Sequence, residues 1–392
     1  MKSLTDYEIE LGQINEEICE LEEKIGAGQR DAGTTTRWLY RVFHRASLTG
    51  SFAEFEITEA AINNAIGRIG PWPDLCLLKA NLDFKFHRVA KAKEDLAMAP
   101  CLADSIQGQQ LKADISFQEG RYLDAKNGYE RAIEKSRTWD NLVRLAYFEA
   151  KMGDEAGAEQ LYAEAEEEIT VKEMRSYAWV ELQRGLLDLS RGRYAETEAH
   201  YHRAGEAYSG YWLVDEHVAE LLGAQGKFDE AVILYEAVVG RLPKPELQQA
   251  IGELYTLMDK PAQAQPWLDK ALAAYGESVR RGEVHYYHHL ADFYADAREN
   301  GTEAIRWARK DLELRQNFAT EGALAWALYR NGEFAEALDL VEKALYSGIR
   351  DARLLHHAAR IHLAAGQSKA SKQLLAEAAQ LNPLHENFHV HR

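Results

Sequence analysis

LKADISFQEGRYLDAKNGYERAIEKS, residues 111–136, reads as two helices and a turn. Apolar or small residues fall at helical spacing, Gly120 interrupts them, and the pattern restarts through Tyr122, Ala125, Tyr129 and Ala132. Side chains three and four apart share one face of a helix, so each half has one face to bury and buries it against the other. Glycine suits the break because it takes positive φ at a helix end without a Cβ clash.

The unit repeats outward in both directions. Small residues stand at Ala80, Ala113, Ala146, Gly185, Ala219, Gly252, Ala291, Ala325 and Ala359, with steps of 33, 33, 39, 34, 33, 39, 34 and 34. The turn glycine returns as Gly153, Gly192, Gly226, Gly332 and Gly366, while His87 and Asp259 occupy equivalent places. After the turn, a small column (Ala92, Ala125, Ala158, Thr197, Ala231, Ala264, Ala337, Ser371) precedes by four residues a larger one (Leu96, Tyr129, Tyr162, Tyr201, Tyr235, Leu268, Val341, Leu375). Small side chains let helices approach and larger ones fill the seam between hairpins. The unit near His285 has one extra residue in its turn, which moves its small residue to Ala304. A period of this length predicts stacked hairpins sharing one elongated interior.

These columns resemble the tetratricopeptide repeat family, with GKFDEAVILYEAVV (226–239) and GEFAEALDLVEKAL (332–345) as the nearest matches. The family's first-helix Trp is mostly absent, and its closing Pro stands clearly only at Pro243 and Pro383. The resemblance implies an all-α, right-handed superhelical solenoid of about nine to ten helix-turn-helix repeats, with an N-terminal heptad helix. The expected divisions are a heptad or capping helix with its linker (1–33), a degenerate hairpin (34–72), the array (73–383) and a His-rich tail (384–392). Leu4, Tyr7, Leu11, Ile14, Ile18, Leu21 and Ile25 form a three–four apolar alternation. Such a stripe either caps an open end of the array or pairs two copies into a homodimer through residues 4–25. GAGQRDAGTTT (26–36) reads as a flexible linker. The longer segments 166–178 and 273–285 read as extended helices or loops, or as protrusions that meet a partner.

Bulk composition narrows the partners. A net charge of −17 and no basic groove disfavour nucleic acid and anionic lipid surfaces. Cys19, Cys76 and Cys101 show no metal-type spacing and suit a reducing compartment. The start, MKSLTDYEIELGQ, has no apolar signal core, and no run is long enough to span a bilayer, so a cytoplasmic protein is expected.

The resemblance also implies that the first helix of each pair lines a concave side. Residues three before and one after the small column then share a face, which puts Glu216, Glu220, Glu253 and Asp292 in an acidic middle. Beyond it lie His285, His288, Trp326, Tyr329, His356 and Arg360. Neighbouring carboxylates repel unless a cation sits between them, and an exposed Trp and Tyr offer a cation–π surface. The ten residues predict a groove for a basic protein or peptide segment; the alternative is that the acids are merely solvated. The family also contains a clamp for a chaperone's acidic tail. Asn81 and Arg144 fit two of its places, but the matching Lys and second Asn are missing, and Asp140 and Gln110 make the neighbourhood less cationic.

Nine of the 14 histidines fall after residue 284, which makes metal binding the second reading. HYYHH (285–289) puts His285 and His289 one helical turn apart with Asp292 close by, a plausible donor set for a divalent ion. HENFH (385–389) matches H-E-x-x-H, but it begins just after Pro383, with no later chain to build a peptidase cleft; metal capture with His391 is its remaining use. No phosphate loop, dinucleotide fingerprint or nucleophile elbow occurs, so no cofactor and no catalysis are expected. The favoured expectation is a non-catalytic scaffold or adaptor. A metal-binding or metal-responsive protein is the alternative, and a module sensing a small ligand through residues 285–360 is a third.

Overall fold

In the computed structural model, which describes residues 3–29 and 31–390, every regular element is a helix. Helix α1 (Asp6–Gly26) opens on a capping box: the Thr5 hydroxyl accepts from the Glu8 amide, and the Glu8 carboxylate accepts from the Thr5 amide at 2.8 Å. Helices α2 (Ala32–Thr49) and α3 (Phe52–Ile69) follow, and then nine pairs, with a single helical turn Pro100–Ala103 between the first two. Pairs one to five are Pro73–Lys85 with Val89–Ala97, Ile106–Gln118 with Tyr122–Lys135, Trp139–Met152 with Glu155–Glu168, Met174–Leu189 with Tyr194–Ala207, and Trp212–Ala224 with Phe228–Arg241. Pair six is Pro245–Leu257 with Pro261–Arg280, and pair seven is Tyr287–Asp292, continued by a π-helical turn Phe293–Ala297, with Gly301–Leu314. Pairs eight and nine are Phe318–Arg330 with Phe334–Tyr346 and Ala352–Ala364 with Ser368–Leu381.

Local chemistry sets the turns. Gly120 takes φ 70°, and its amide and that of Arg121 donate to the Phe117 and Ser116 carbonyls that the helix end leaves unpaired. His87 and Asp259 stand at the same turn position with φ 61° and 56°, despite carrying a Cβ. The extra residue of pair seven is absorbed as its π turn, the usual form of a one-residue insertion in a helix.

The columns form the seams. Ala80, Ala125, Ala146 and Ala158 are fully buried, as is Tyr235, and Tyr201 is nearly so. A Cβ on Gly185 would lie 2.3 Å from the Tyr201 ring, so only glycine admits that aromatic. Burying each such side chain is worth about 1.5–3 kcal/mol.

The amino-terminal region differs from a flexible linker. Asp31 caps α2 by accepting from the Thr34 amide at 2.9 Å, and Thr34, Thr35 and Thr36 are buried, so the second half of that stretch, from Ala32 on, is already helix. The α1 stripe is used within the chain. Ile14, Ile18 and Leu21 are buried, Tyr7 stacks on Tyr211 at 6.3 Å, and the Tyr7 amide donates to the Ser209 carbonyl. The stripe that could have paired two copies is therefore largely covered, with Leu4 left outside.

Successive turns of the coil touch. The turn of pair two meets the start of pair eight, where the Gln316 amide donates to the Gln118 carbonyl at 3.0 Å and the Phe318 amide to the Tyr122 hydroxyl at 2.8 Å. The turn of pair three meets the start of pair nine through the Arg350 amide and the Lys151 carbonyl at 2.9 Å. His87 of the pair-one turn lies 5.2 Å, ring to ring, from His288 of pair seven. Upstream, the Trp212 indole donates to the Leu48 carbonyl, and His285 stacks on Phe52. A small rotation per pair thus accumulates to one revolution in about six pairs, and the coil closes on itself. Among the described residues no helix is long and apolar enough to cross a membrane.

Candidate functional site

The inner face of pairs five and six receives the chain's own C-terminal segment. Glu220, on the first helix of pair five, is completely buried. A buried carboxylate needs donors, and here the His389 Nδ1 and the Val390 amide both donate to Oε1 at 2.6 Å. One turn along the same helix, Gly223 makes room for Phe388: a Cβ there would lie 2.4 Å from the ring, with Leu254 of pair six on the other side. Asn387 closes the seat by donating to the Ala224 carbonyl at 2.9 Å and to the Tyr194 hydroxyl at 3.1 Å. An aromatic socket, a buried acid and a backbone carbonyl therefore grip a short non-helical segment.

Deeper inside the coil, Tyr147 of pair three borders three cavities of about 280, 310 and 460 Å³. Lys151, one helical turn on, holds its ammonium 5.8 Å from the Tyr147 ring centre and 3.6 Å from the Asp351 carboxylate. Asp114 is ion-paired with Arg144 and accepts from the Tyr129 hydroxyl; burial raises its pKa and Arg144 opposes the rise. The interior thus carries charges of both signs in matched pairs, not a continuous acidic trough.

The ten groove residues consequently separate. Glu216 and Glu220 are buried, and Glu253 accepts from Gln249 at 2.7 Å. His285 is sealed between pairs, its ring 4.0 Å from that of Phe52, and burial lowers its pKa to about 4, so it is neutral at pH 7. His288 and Asp292 line the 280 Å³ cavity with Trp326. Trp326 is not the exposed platform the sequence suggested. It is 9% exposed, stacks on His357 at 3.8 Å and on Tyr329 at 4.9 Å, and donates its indole hydrogen to Asp296. Its burial comes from its neighbours along the array: Tyr329 on its own helix, His357 of pair nine and Asp296 of pair seven. His356 faces His385 at 3.0 Å, and Arg360 is exposed.

The HYYHH reading also changes. His289 stacks on Tyr275, and His285, His289 and Asp292 do not converge on one point among the described residues. The donor groups that do converge are His87, His288 and Asp311, and His356, His385 and Glu386. In HENFH the two histidines part company, His385 to His356 and His389 to Glu220, because the segment after Pro383 is a turn and not a helix. His391 lies outside the described residues. Sequence reasoning did not select Lys151, Asp351 and Arg353 for the interior. Tyr147 does share the register that selected Glu220, directly after the small column, whereas Asp351 and Arg353 arrive only through coil closure.

A tetratricopeptide repeat family profile matches residues 322–350. No curated protein matches the sequence at a significant level. Among solved structures, the chain is similar to a tetratricopeptide repeat protein from Parabacteroides merdae, with 17% identity, 72% of this chain and 98% of that chain covered, and a TM-score of 0.38. It is similar to yeast Tom70 at 14% identity, 94% and 92% coverage and a TM-score of 0.43. It is also similar to the human IFIT1 dimer with PPP-AAAA at 15% identity, 94% and 87% coverage and a TM-score of 0.49. Scores this low leave the assignment to the profile match and to the repeated turn and seam of the chain itself. The profile covers one unit of the chain, and the same helix pair and left-handed turn recur along the rest of it.

Proposed function

We propose that this protein is a non-catalytic scaffold or adaptor that takes a short extended partner segment, an aromatic residue followed by a basic one, into the inner face of pairs five and six. The observation that carries the reading is the seat of Phe388 and His389, where the Gly223 gap takes a ring and the buried Glu220 takes a ring N–H and a backbone amide. The seat is assembled before a partner arrives, so ordering cost falls mainly on the incoming segment. In this reading the tail is a resident competitor, and a partner binds by displacing it. Free thiols at Cys19, Cys76 and Cys101 support work in a reducing, cytoplasmic setting.

The test uses the full chain with Phe388→Ala, which weakens the tail's hold, and a fluorescent peptide of residues 384–392. Saturable binding is expected, reduced about tenfold or more by adding Glu220→Gln, since a hydrogen bond to a charged group is worth about 1.5–3 kcal/mol. Gly223→Ala, which fills the aromatic socket and suits a helix, should have the same effect. A peptide that binds the Phe388→Ala chain no better than the unaltered chain, or ignores both seat substitutions, contradicts the reading.

A further inference from the structure

Where the tail leaves pair nine, three donor atoms from two separate elements meet. His356 is on the first helix of pair nine, and His385 and Glu386 are on the turn after Pro383. The His356 Nδ1 and His385 Nε2 are 3.0 Å apart, His356 Nδ1 and Glu386 Oε1 3.7 Å, and His385 Nε2 and Glu386 Oε1 3.9 Å. Zinc–nitrogen and zinc–oxygen bonds of about 2.0–2.2 Å place tetrahedral ligand atoms roughly 3.3–3.5 Å from one another. The three atoms therefore outline one face of such a tetrahedron to within about half an ångström.

The protonation of His385 fits as well, while His356, whose Nδ1 donates to the His385 Nε2 here, takes its other tautomer when it ligates. The His385 Nδ1 lies 3.0 Å from the Asn382 carbonyl, which can only accept, so Nδ1 carries the hydrogen and Nε2 presents its lone pair to the cluster. A backbone carbonyl behind a histidine is the usual outer support of a metal ligand. Arg353 and Arg360 stand on the same helix as His356, three residues before it and four after. Arg353 is partly offset by Asp292 and Asp296 at 3.8 and 3.6 Å. The exposed Glu386 supplies the opposing charge at the solvent side, where a water completes the fourth position. The other convergent group is less suited, because both oxygens of Asp311 are already held by Arg315 at 2.9 and 2.7 Å.

We propose that His356, His385 and Glu386 bind a zinc-class divalent ion that fastens the C-terminal segment to pair nine, and so holds Phe388 and His389 over the inner face. The ion needs no partner to be detected, so the site stands or falls separately from the peptide reading above.

The experiment is a zinc titration of the metal-free full chain against a chelating indicator, with elemental analysis of the loaded protein and hydrogen exchange over residues 384–390. One zinc per chain is expected, with slower exchange in that segment. His356→Ala and Glu386→Gln should each weaken uptake by about tenfold or more and remove the exchange effect. Glu386 is on the surface, so its variant reports on the site even if the histidine variant folds poorly. No stoichiometric uptake, uptake indifferent to both substitutions, or uptake lost only in His87→Ala would each overturn the proposal.

Discussion

The seams inside the helix pairs and the junctions between turns of the coil are made of different material. Inside a pair, contact is apolar and repetitive: Ala against Tyr or Leu, with Tyr201 and Tyr235 almost without exposure. Between turns, contact mixes polar and aromatic groups and differs at each place: a Gln316 amide on the Gln118 carbonyl beside Phe117 on Phe318, an Arg350 amide on the Lys151 carbonyl, a tryptophan indole on the Leu48 carbonyl, His285 on Phe52. The first kind supplies cohesion, because apolar burial scales with area. The second contributes less per contact, since each such hydrogen bond replaces one to water. What it determines is how wide the coil opens, and therefore what can reach Glu220 and Tyr147.

Substitutions in the seams should show the largest effects. Tyr235→Ala should cost about 3–5 kcal/mol in denaturant unfolding of the full chain. Tyr235→Phe should cost little, because the buried hydroxyl has no hydrogen-bond partner among the described residues. If the two variants were equally damaging, the seam would not be held by ring packing.

Acid should come next. His285 has its pKa lowered to about 4 by burial, so between its ordinary value and pH 4 the unfolded chain binds the proton and the folded one does not. Stability is therefore complete above pH 6.5 and falls as pH drops toward 4, by about 3 kcal/mol for this residue. His87 and His288, also lowered by burial, act in the same direction. Denaturation midpoints measured across this range should decline on acidification, and His285→Phe, which keeps the ring on Phe52, should make the decline shallower. A midpoint that rises toward pH 5 would contradict this assignment.

The junctions can be isolated with a matched pair of glycines. Gly120 and Gly226 occupy equivalent turns with φ 70° and 77°. A Cβ on Gly120 would lie 2.5 Å from the Gln316 carbonyl oxygen, whereas one on Gly226 would meet nothing within 4 Å. Alanine at either site incurs the left-handed penalty of about 1–2 kcal/mol. Only Gly120→Ala should also loosen the junction, so its additional loss, smaller than the seam effect, measures that contact. Equal losses at the two sites would mean the junction contributes nothing.

Most of the fold could be read from the sequence because a helix pair is a local object. Its stripes, its turn residue and its small columns lie within one period, and even His87 and Asp259 were recognisable as turn residues from position alone. Coil closure could not be read. It depends on a modest rotation repeated over about six pairs, and the residues it joins, such as Gln118 and Gln316, have no shared pattern. Trp326 satisfied the spacing of an inward-facing residue but is covered by His357 of the adjacent pair, and Glu220 proved to be a buried acceptor for the tail instead of an open charge. The Thr34–Thr36 run looked like linker from composition, whereas Asp31 caps it into helix.

The closed coil is tested most directly by site-resolved hydrogen exchange at the Gln316 and Arg350 amides in the full chain. Both lie between helices, and their acceptors are carbonyls of the preceding turn of the coil. Slow exchange at both positions, accelerated at Gln316 by Gly120→Ala, is the predicted result. Exchange at the rate of an unstructured peptide in the unaltered protein would mean that the turns stand apart, and that the inner face is an open trough.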